Sequence, residues 1–374
     1  MGRPHPALLD LAAGRDPRGA IEDVSALLAS AQEHRMTGLV ARWVNNGTLP
    51  LPRDQAVRLA TYNLRVRAHH DHLWKALASV TDEFAGIGIE VASFKGVTAE
   101  ARWYDGLGER PCADLDLLLS PSHINRIEDI IAHFQPSHPL AGKAQMMAEF
   151  GQIQHVDLRG VEDVDLDLHF DLLKILIPGR HQEEIWQRTT GFDGVDHGAF
   201  KVVDPETSLI QSLLHLTKDR FSLLLGFVDV VRIIEREDLD WNYIDRFVRE
   251  EGLEVPTYLA LAQVFETLDL SAPSIPGVRG WRTSMWRLIW GPSTQLQGAW
   301  GRVTHHRRQF WIPLLARGRL TEAMRRLTEL AFPPRALMTH YHPNIRGPYL
   351  WHLLRGRLRR AQERRREALD ARRV

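Results

Sequence analysis

The sequence predicts an α+β protein, a small mixed β-sheet flanked by N-terminal and C-terminal helical regions. Three observations predict it: helix-spaced apolar residues before Gly86, strand-like alternation from there to about Pro178, and a return to helical spacing beyond. Before Gly86, Ile21, Val24, Leu27 and Leu28, then Leu39, Val40 and Trp43, recur at helix spacing. A Pro-Leu-Pro break near Leu51 precedes a long helix from Arg53 to about Phe84, with Leu59, Leu64, Leu73, Leu77 and Val80 on its apolar side. Ile87 to Phe94 and Ala113 to Leu119 read as strands, and Pro121-Ser122-His123-Ile124 opens a helix that turns Ile127, Ile130 and Ile131 inward. A hairpin is expected next, with arms Gln152 to Leu158 and Val161 to Leu172 and its turn at Arg159-Gly160. Its second arm alternates Val164, Leu166, Leu168 and Phe170 with Asp163, Asp165, Asp167, His169 and Asp171, so one face is apolar and the other acidic. Helical spacing resumes over Pro205 to Glu237 along a leucine stripe, and over Trp241 to Phe265 as two helices. The domain expectation is a helical region at 1–85, an α/β core at 86–178, a helical region at 179–354 and a basic tail at 355–374.

Composition narrows the function classes. With 374 residues and 44% hydrophobic content the chain can bury a large core, and 47 basic residues balance 47 acidic ones, so no global field draws it to nucleic acid or membrane. Cys112 is the single cysteine, which excludes an internal disulfide and a cysteine-based zinc cluster. The opening residues lack a signal-peptide core, Pro6 does not fit a myristoylation pattern, and no apolar run approaches a membrane span; the expected location is cytoplasmic.

The chemistry centres on Asp114-Leu115-Asp116. On a strand these two carboxylates share a face while Leu115 and Leu117 face the core. Like charges so placed raise each other's proton affinity unless a hard, oxygen-preferring cation such as magnesium lies between them. Upstream, a strand ends at Lys95-Gly96 and leads into a helix start, an order that can hold phosphate on backbone amides. Asp165, Asp167 and His169 share one strand face, and a neighbouring strand can bring either aspartate beside the first pair. Alternation alone leaves Asp165 and Asp167 as rivals. Lys95 and Arg110 are candidate phosphate ligands, one as a point charge and one as a planar fork.

Lys95-Gly96, Arg110, Asp114-Leu115-Asp116-Leu117-Leu118, Asp167-Leu168-His169-Phe170, and then a helix with Leu214-His215 and Asp229, resemble the uncharacterised nucleotidyltransferase family of the polymerase-beta-like superfamily. The resemblance spans most of the chain and implies a nucleotidyltransferase core that moves a nucleoside monophosphate from an NTP, with ATP the expected donor, to a hydroxyl or phosphate acceptor. It implies two Mg2+ ions on Asp114, Asp116 and Asp167, with His169 as the histidine that follows the third acid; on the residues alone His169 either orients Asp167 or is a solvated strand residue. The superfamily's Gly-Gly or Gly-Ser shortly before the paired acids is replaced here by Lys95-Gly96-Val97 further upstream, so phosphate contact is expected from backbone amides, Thr98, Lys95 or Arg110. His215 and Asp229 are cleft candidates. The acceptor, whether small molecule, peptide or protein, is not specified. The alternatives are a non-catalytic nucleotide-binding protein of the same fold and a toxin-like enzyme acting on tRNA.

Two further features carry less. His69-His70-Asp71-His72 sits on the long helix, where only His69 and His72 share a face, and is expected on a solvated surface. Arg355 to Val374 holds nine arginines against Glu363, Glu367 and Asp370, but no aromatic residue for base stacking, which disfavours nucleic acid as a partner.

Overall fold

The computed structural model describes residues 4–17, 21–149, 153–173, 181–194, 198–219, 221–271 and 273. The basic tail and all but the first residue of the Trp-, Arg- and Pro-rich stretch from Pro273 to Pro348 lie outside the described residues. Helices α1 (Pro6–Ala12), α2 (Val24–Glu33), α3 (Thr37–Asn45) and α4 (Arg53–Gly86) precede strand β1 (Val91–Ser93) and helix α5 (Gly96–Trp103). Strand β2 (Asp114–Leu119), a 3-10 turn (Pro121–Arg126), α6 (Ile127–Phe134) and α7 (Ala144–Glu149) lead into β3 (His155–Val161) and β4 (Val164–His169). After α8 (Gln182–Gln187) come β5 (Thr190–Gly194), β6 (Gly198–Val202), α9 (Pro205–Lys218), α10 (Leu224–Arg236), α11 (Trp241–Glu250) and α12 (Glu254–Leu268).

The six strands form one mixed sheet in the order β3-β4-β2-β1-β6-β5. Strand alternation sorts the core onto its two faces. Leu115, Leu117, Leu119, Leu166 and Leu168 pack with the C-terminal half of α4 and with α6. Ala92, Phe94 and Leu118 pack on the other face with α1 to α3 and α9 to α12. The acidic positions of β2 and β4 alternate with the first set, so they belong to the face covered by the second helical layer.

Five local expectations change. The hairpin turns at Glu162 and Asp163, both with positive φ (50° and 61°), the backbone of a two-residue type I′ turn. Arg159 and Gly160 are instead absorbed where the register shifts between Leu158 and Val161, which lets Val161 pair with Val164. The sheet also continues past 178: β5 and β6 form a hairpin whose Phe192 and Phe200 lie 5.6 Å apart, with Phe200 5.7 Å from Trp74. Glycines at 191, 194 and 198 interrupt the alternation there and conceal it. The expected helix from Pro205 to Glu237 is two helices, because the chain reverses at Phe221 (φ 53°), whose N–H bonds the Leu216 carbonyl at 2.9 Å. Leu64 is 65% exposed: α4 has 34 residues and is about 50 Å long, so its first half outruns the sheet. Within the histidine cluster, His70 is fully buried.

Two predictions follow from this packing. A Cβ on Gly38 of α3 would sit 1.9 Å from the Gly108 carbonyl oxygen, so Gly38→Ala should cost about 1–3 kcal/mol in urea denaturation. Burial lowers the pKa of His34 from 6.5 to about 4, against a hydrogen bond to the Ser222 backbone that raises it. The unfolded chain therefore takes up a proton between those values that the folded chain refuses, and stability should fall as pH drops through that window, by up to about 3 kcal/mol. Denaturation across pH 4–7 checks this, and His34→Gln should flatten the slope.

Candidate active site

The site is assembled by register. β4 runs parallel to β2 and sets Asp114 opposite Asp165 and Asp116 opposite Asp167. β3 runs antiparallel along the other edge of β4, with Asp157 opposite Asp167 and His155 opposite His169. Three carboxylates, Asp116, Asp167 and Asp157, thus form a row across three adjacent strands, an arrangement that like-charge repulsion disfavours in the absence of cations. Potential ligand atoms of Asp116, Asp167 and His169 lie within 4.8 Å of one another, as do those of His155, Asp157 and Asp167. These groups can hold a metal ion, and their oxygen content suits a hard divalent cation. Asp165 is exposed and belongs to neither group; Asp114 stands two residues before Asp116 and also lies outside both.

His169 is fully buried, with its ring edge against Phe94 (4.9 Å between centroids) and its face stacked on His155 (5.1 Å). Its Nε2 lies 2.9 Å from Asp116 Oδ1, so the structure places this nitrogen on Asp116, where the sequence suggested Asp167. A buried imidazole held this way fixes the direction of the carboxylate it touches.

The turn from β1 into α5 forms the second wall. Lys95 has φ 57° and ψ −156°, a backbone region that residues other than glycine avoid, and its Nζ reaches Asp116 Oδ1 at 3.5 Å. Gly96, also at positive φ (47°), opens the helix so close to the start of β2 that a Cβ there would lie 3.4 Å from the Asp114 carbonyl oxygen. Thr98, expected as a phosphate contact, is 2% exposed and its hydroxyl is engaged with Ser93 at 2.6 Å. Arg110 is likewise occupied: its guanidinium forks onto Asp229 (Nε to Oδ1 2.7 Å, Nη2 to Oδ2 2.9 Å), and Nη1 reaches the Gly96 carbonyl at 3.4 Å. Tyr104 donates to the same Asp229 at 2.7 Å. Burial and then the Asp229 charge raise the Tyr104 pKa, so the phenol stays protonated. Arg110 and Asp229 together brace the Gly96 turn.

Electrostatics bear the mark of the crowded acids. Burial, and then the charge of Asp116, push the Asp114 carboxyl above the ordinary value of 3.8, while Lys95 and Arg35 pull it back. Arg35 was not singled out in the sequence. It occupies the exposed corner between α2 and α3 at φ 58°, and its side chain makes no hydrogen bond or ion pair among the described residues. A left-handed, solvated arginine carries no pattern that periodicity detects.

A cleft open to solvent adjoins the acids at Lys95. Phe94, Lys95, Ala99 and Trp103 line one side of it, Ser208, Gln211, Ser212 and His215 of α9 another, and Arg110 and Asp229 contribute as well. His215 and Asp229 therefore share this cleft but lie outside the carboxylate groups described above. His215 Nε2 pairs with Asp219 at 3.0 Å on the exposed end of α9. Among the described residues, no helix is long and apolar enough to cross a membrane.

No curated protein matches the sequence. Among solved structures, an antigenic nucleotidyltransferase-like protein from Paracoccidioides brasiliensis is similar, with 17% identity and a TM-score of 0.35, over 55% of this chain and 95% of that one. Residues 21–269 match the family model described as uncharacterised nucleotidyltransferase. That match takes in more than half of the chain and contains every acid of the site, and the chain belongs to this nucleotidyltransferase family.

Proposed function

We propose that this chain transfers a nucleoside monophosphate from a nucleoside triphosphate, ATP being the expected donor, to a hydroxyl or phosphate oxygen of a small-molecule, peptide or protein acceptor. The observation that carries this reading is the meeting of Asp116, Asp167 and His169 within 4.8 Å on adjoining parallel strands, with Lys95 on Asp116. In the reaction the acceptor oxygen forms a bond to the α-phosphorus, the bond from that phosphorus to the bridging oxygen breaks, and pyrophosphate leaves with the electron pair. The hydroxyl proton passes to the Asp167 carboxylate or to water.

Each residue has a defined task. Asp116 and Asp167 would hold Mg2+, with two ions expected and Asp114 completing the set on the Asp116 side. Bound there, magnesium supplies charge stabilisation for the phosphate oxygens and a lower pKa for the attacking oxygen. His169 keeps Asp116 aimed. Lys95 and the amides at Gly96 take the phosphates that face α5, where the helix start presents free N–H groups. Arg110 supports them by bracing the Gly96 carbonyl. Arg35 adds a solvated cation on the Asp114 side. The proposed location is the cytoplasm.

Exchange of labelled pyrophosphate into ATP tests the proposal. Asp116→Asn and Asp167→Asn, folded by circular dichroism, should each lose roughly a hundredfold or more, since each removes a charge aimed at the transferred phosphate. Asp165→Asn, on the exposed position of the same strand, should stay within about threefold. Equal loss in all three would contradict the register-based assignment. Chelation of divalent cations should abolish exchange, and added Mg2+ should restore it.

A further inference from the structure

We infer that the cleft between α5, α9 and α10 is the pocket for the nucleobase of the donor, and that Gln211 reads the base. This rests on the nucleotidyl-transfer reading above and specifies its substrate. Ser208, Gln211, Ser212 and His215 are spaced i, i+3, i+4 and i+7, one polar stripe on a helix whose remaining positions, such as Leu209, Ile210 and Leu213, are buried in the core. Ser208 of this stripe bonds the Asp204 carbonyl and His215 pairs with Asp219, which leaves Gln211 and Ser212 to meet a ligand.

Gln211 is the decisive residue. It is 6% exposed and lines the cleft, yet its side-chain amide makes no hydrogen bond among the described residues. Neither amide atom is sealed from solvent, so both are available to a ligand in the cleft. Its carbonyl and NH2 offer an acceptor beside a donor, the pattern that pairs with adjacent donor and acceptor groups on a base edge. Phe94 and Trp103, both largely buried, contribute apolar atoms to the lining of the same cleft.

Charge decides which part of which molecule enters. Within the cleft Arg110 and Asp229 neutralise each other, and Lys95 stands at the junction with Asp116. The occupant is therefore neutral in the cleft and anionic where it leaves it. Ala99 and Trp103 lie one and two turns along α5 from Gly96, so a molecule with its phosphates at that helix start lays its uncharged end against them. A nucleoside triphosphate has this polarity, whereas an acceptor would have to enter past the triphosphate it attacks.

Calorimetry on the full chain with Mg2+ tests this, using ATP, GTP, CTP and UTP, and tripolyphosphate as a base-free probe. One base should bind about tenfold tighter than the weakest. Gln211→Leu should compress that spread to under about threefold and leave tripolyphosphate affinity unchanged. Should Gln211→Leu fail to fold, Ser212→Leu, at a half-buried position of the same stripe, narrows the cleft and should weaken all four nucleotides about tenfold while sparing tripolyphosphate. Equal affinities for the four bases in the unmodified protein, a spread that survives Gln211→Leu, or nucleotide affinity unmoved by Ser212→Leu would overturn the inference while tripolyphosphate binding upholds the parent reading. Failure of the unmodified protein to bind either nucleotides or tripolyphosphate would overturn both.

Discussion

The buried carboxylate of Glu100 is the constraint on which the acidic site depends. It is 1% exposed, and one oxygen accepts the backbone N–H groups of Gly108 (2.9 Å) and Arg110 (2.8 Å). The other oxygen pairs with His70 Nδ1, while His70 Nε2 lies 3.3 Å from the Cys112 N–H. Since Nε2 accepts from a backbone donor, Nδ1 carries the ring proton and donates it to Glu100. One helix-borne acid and one histidine thus satisfy the backbone N–H groups of Gly108, Arg110 and Cys112 in the loop that runs into Asp114. A loop without regular structure is thereby held by charge-assisted bonds in a dry environment, where they are strongest. Loss of Glu100 would strand buried N–H groups at the entrance to β2 and release the strand that carries both acids.

That fixed entrance explains how mutually repelling side chains remain side by side. The row Asp116, Asp167 and Asp157 is set by backbone pairing between three strands, whose hydrogen bonds and apolar undersides outweigh the repulsion above them. Local relief comes from His169 and Lys95, both on Asp116. Relief is incomplete, since Asp114 still holds its proton more tightly than an ordinary aspartate, from burial first and Asp116 second. An array kept in this state has free energy to gain from binding a cation, because the cation removes the repulsion and the backbone has already met the cost of assembly.

The acids were legible in the sequence because strand alternation is a local property. Asp114 and Asp116 part company with Leu115 and Leu117, as do Asp165 and Asp167 with Leu166 and Leu168, on the period of two that the residues display. Register was not legible. Whether Asp165 or Asp167 meets Asp116 depends on how β4 slides along β2, a pairing between distant segments that no local pattern encodes. His70 escaped notice for a related reason: its partner Glu100 lies thirty residues on, and helix spacing within the His69 to His72 cluster says nothing about it. The stripe from Ser208 to His215 was visible as spacing, but the leucines between its members dominated the reading of that helix as core.

Lys95 joins these observations. Its dihedral angles, φ 57° and ψ −156°, lie where a side chain costs of order 1–3 kcal/mol, and glycine would remove that cost. Gly96 follows with its own positive φ, so two consecutive residues bend the backbone at the N-terminal end of α5. The strained backbone aims the lysine's ammonium group, which at once lines the cleft and reaches Asp116 at 3.5 Å. In glycine-rich turns of comparable shape only the backbone can contact an anion. Here the backbone turns as a glycine would and a positive charge is delivered as well, which compensates for the absent serine hydroxyl and for the engagement of Thr98 with Ser93. The departure at Lys95-Gly96 therefore exchanges a neutral donor for a charged one, at the junction where the anionic part of a ligand would meet its uncharged part.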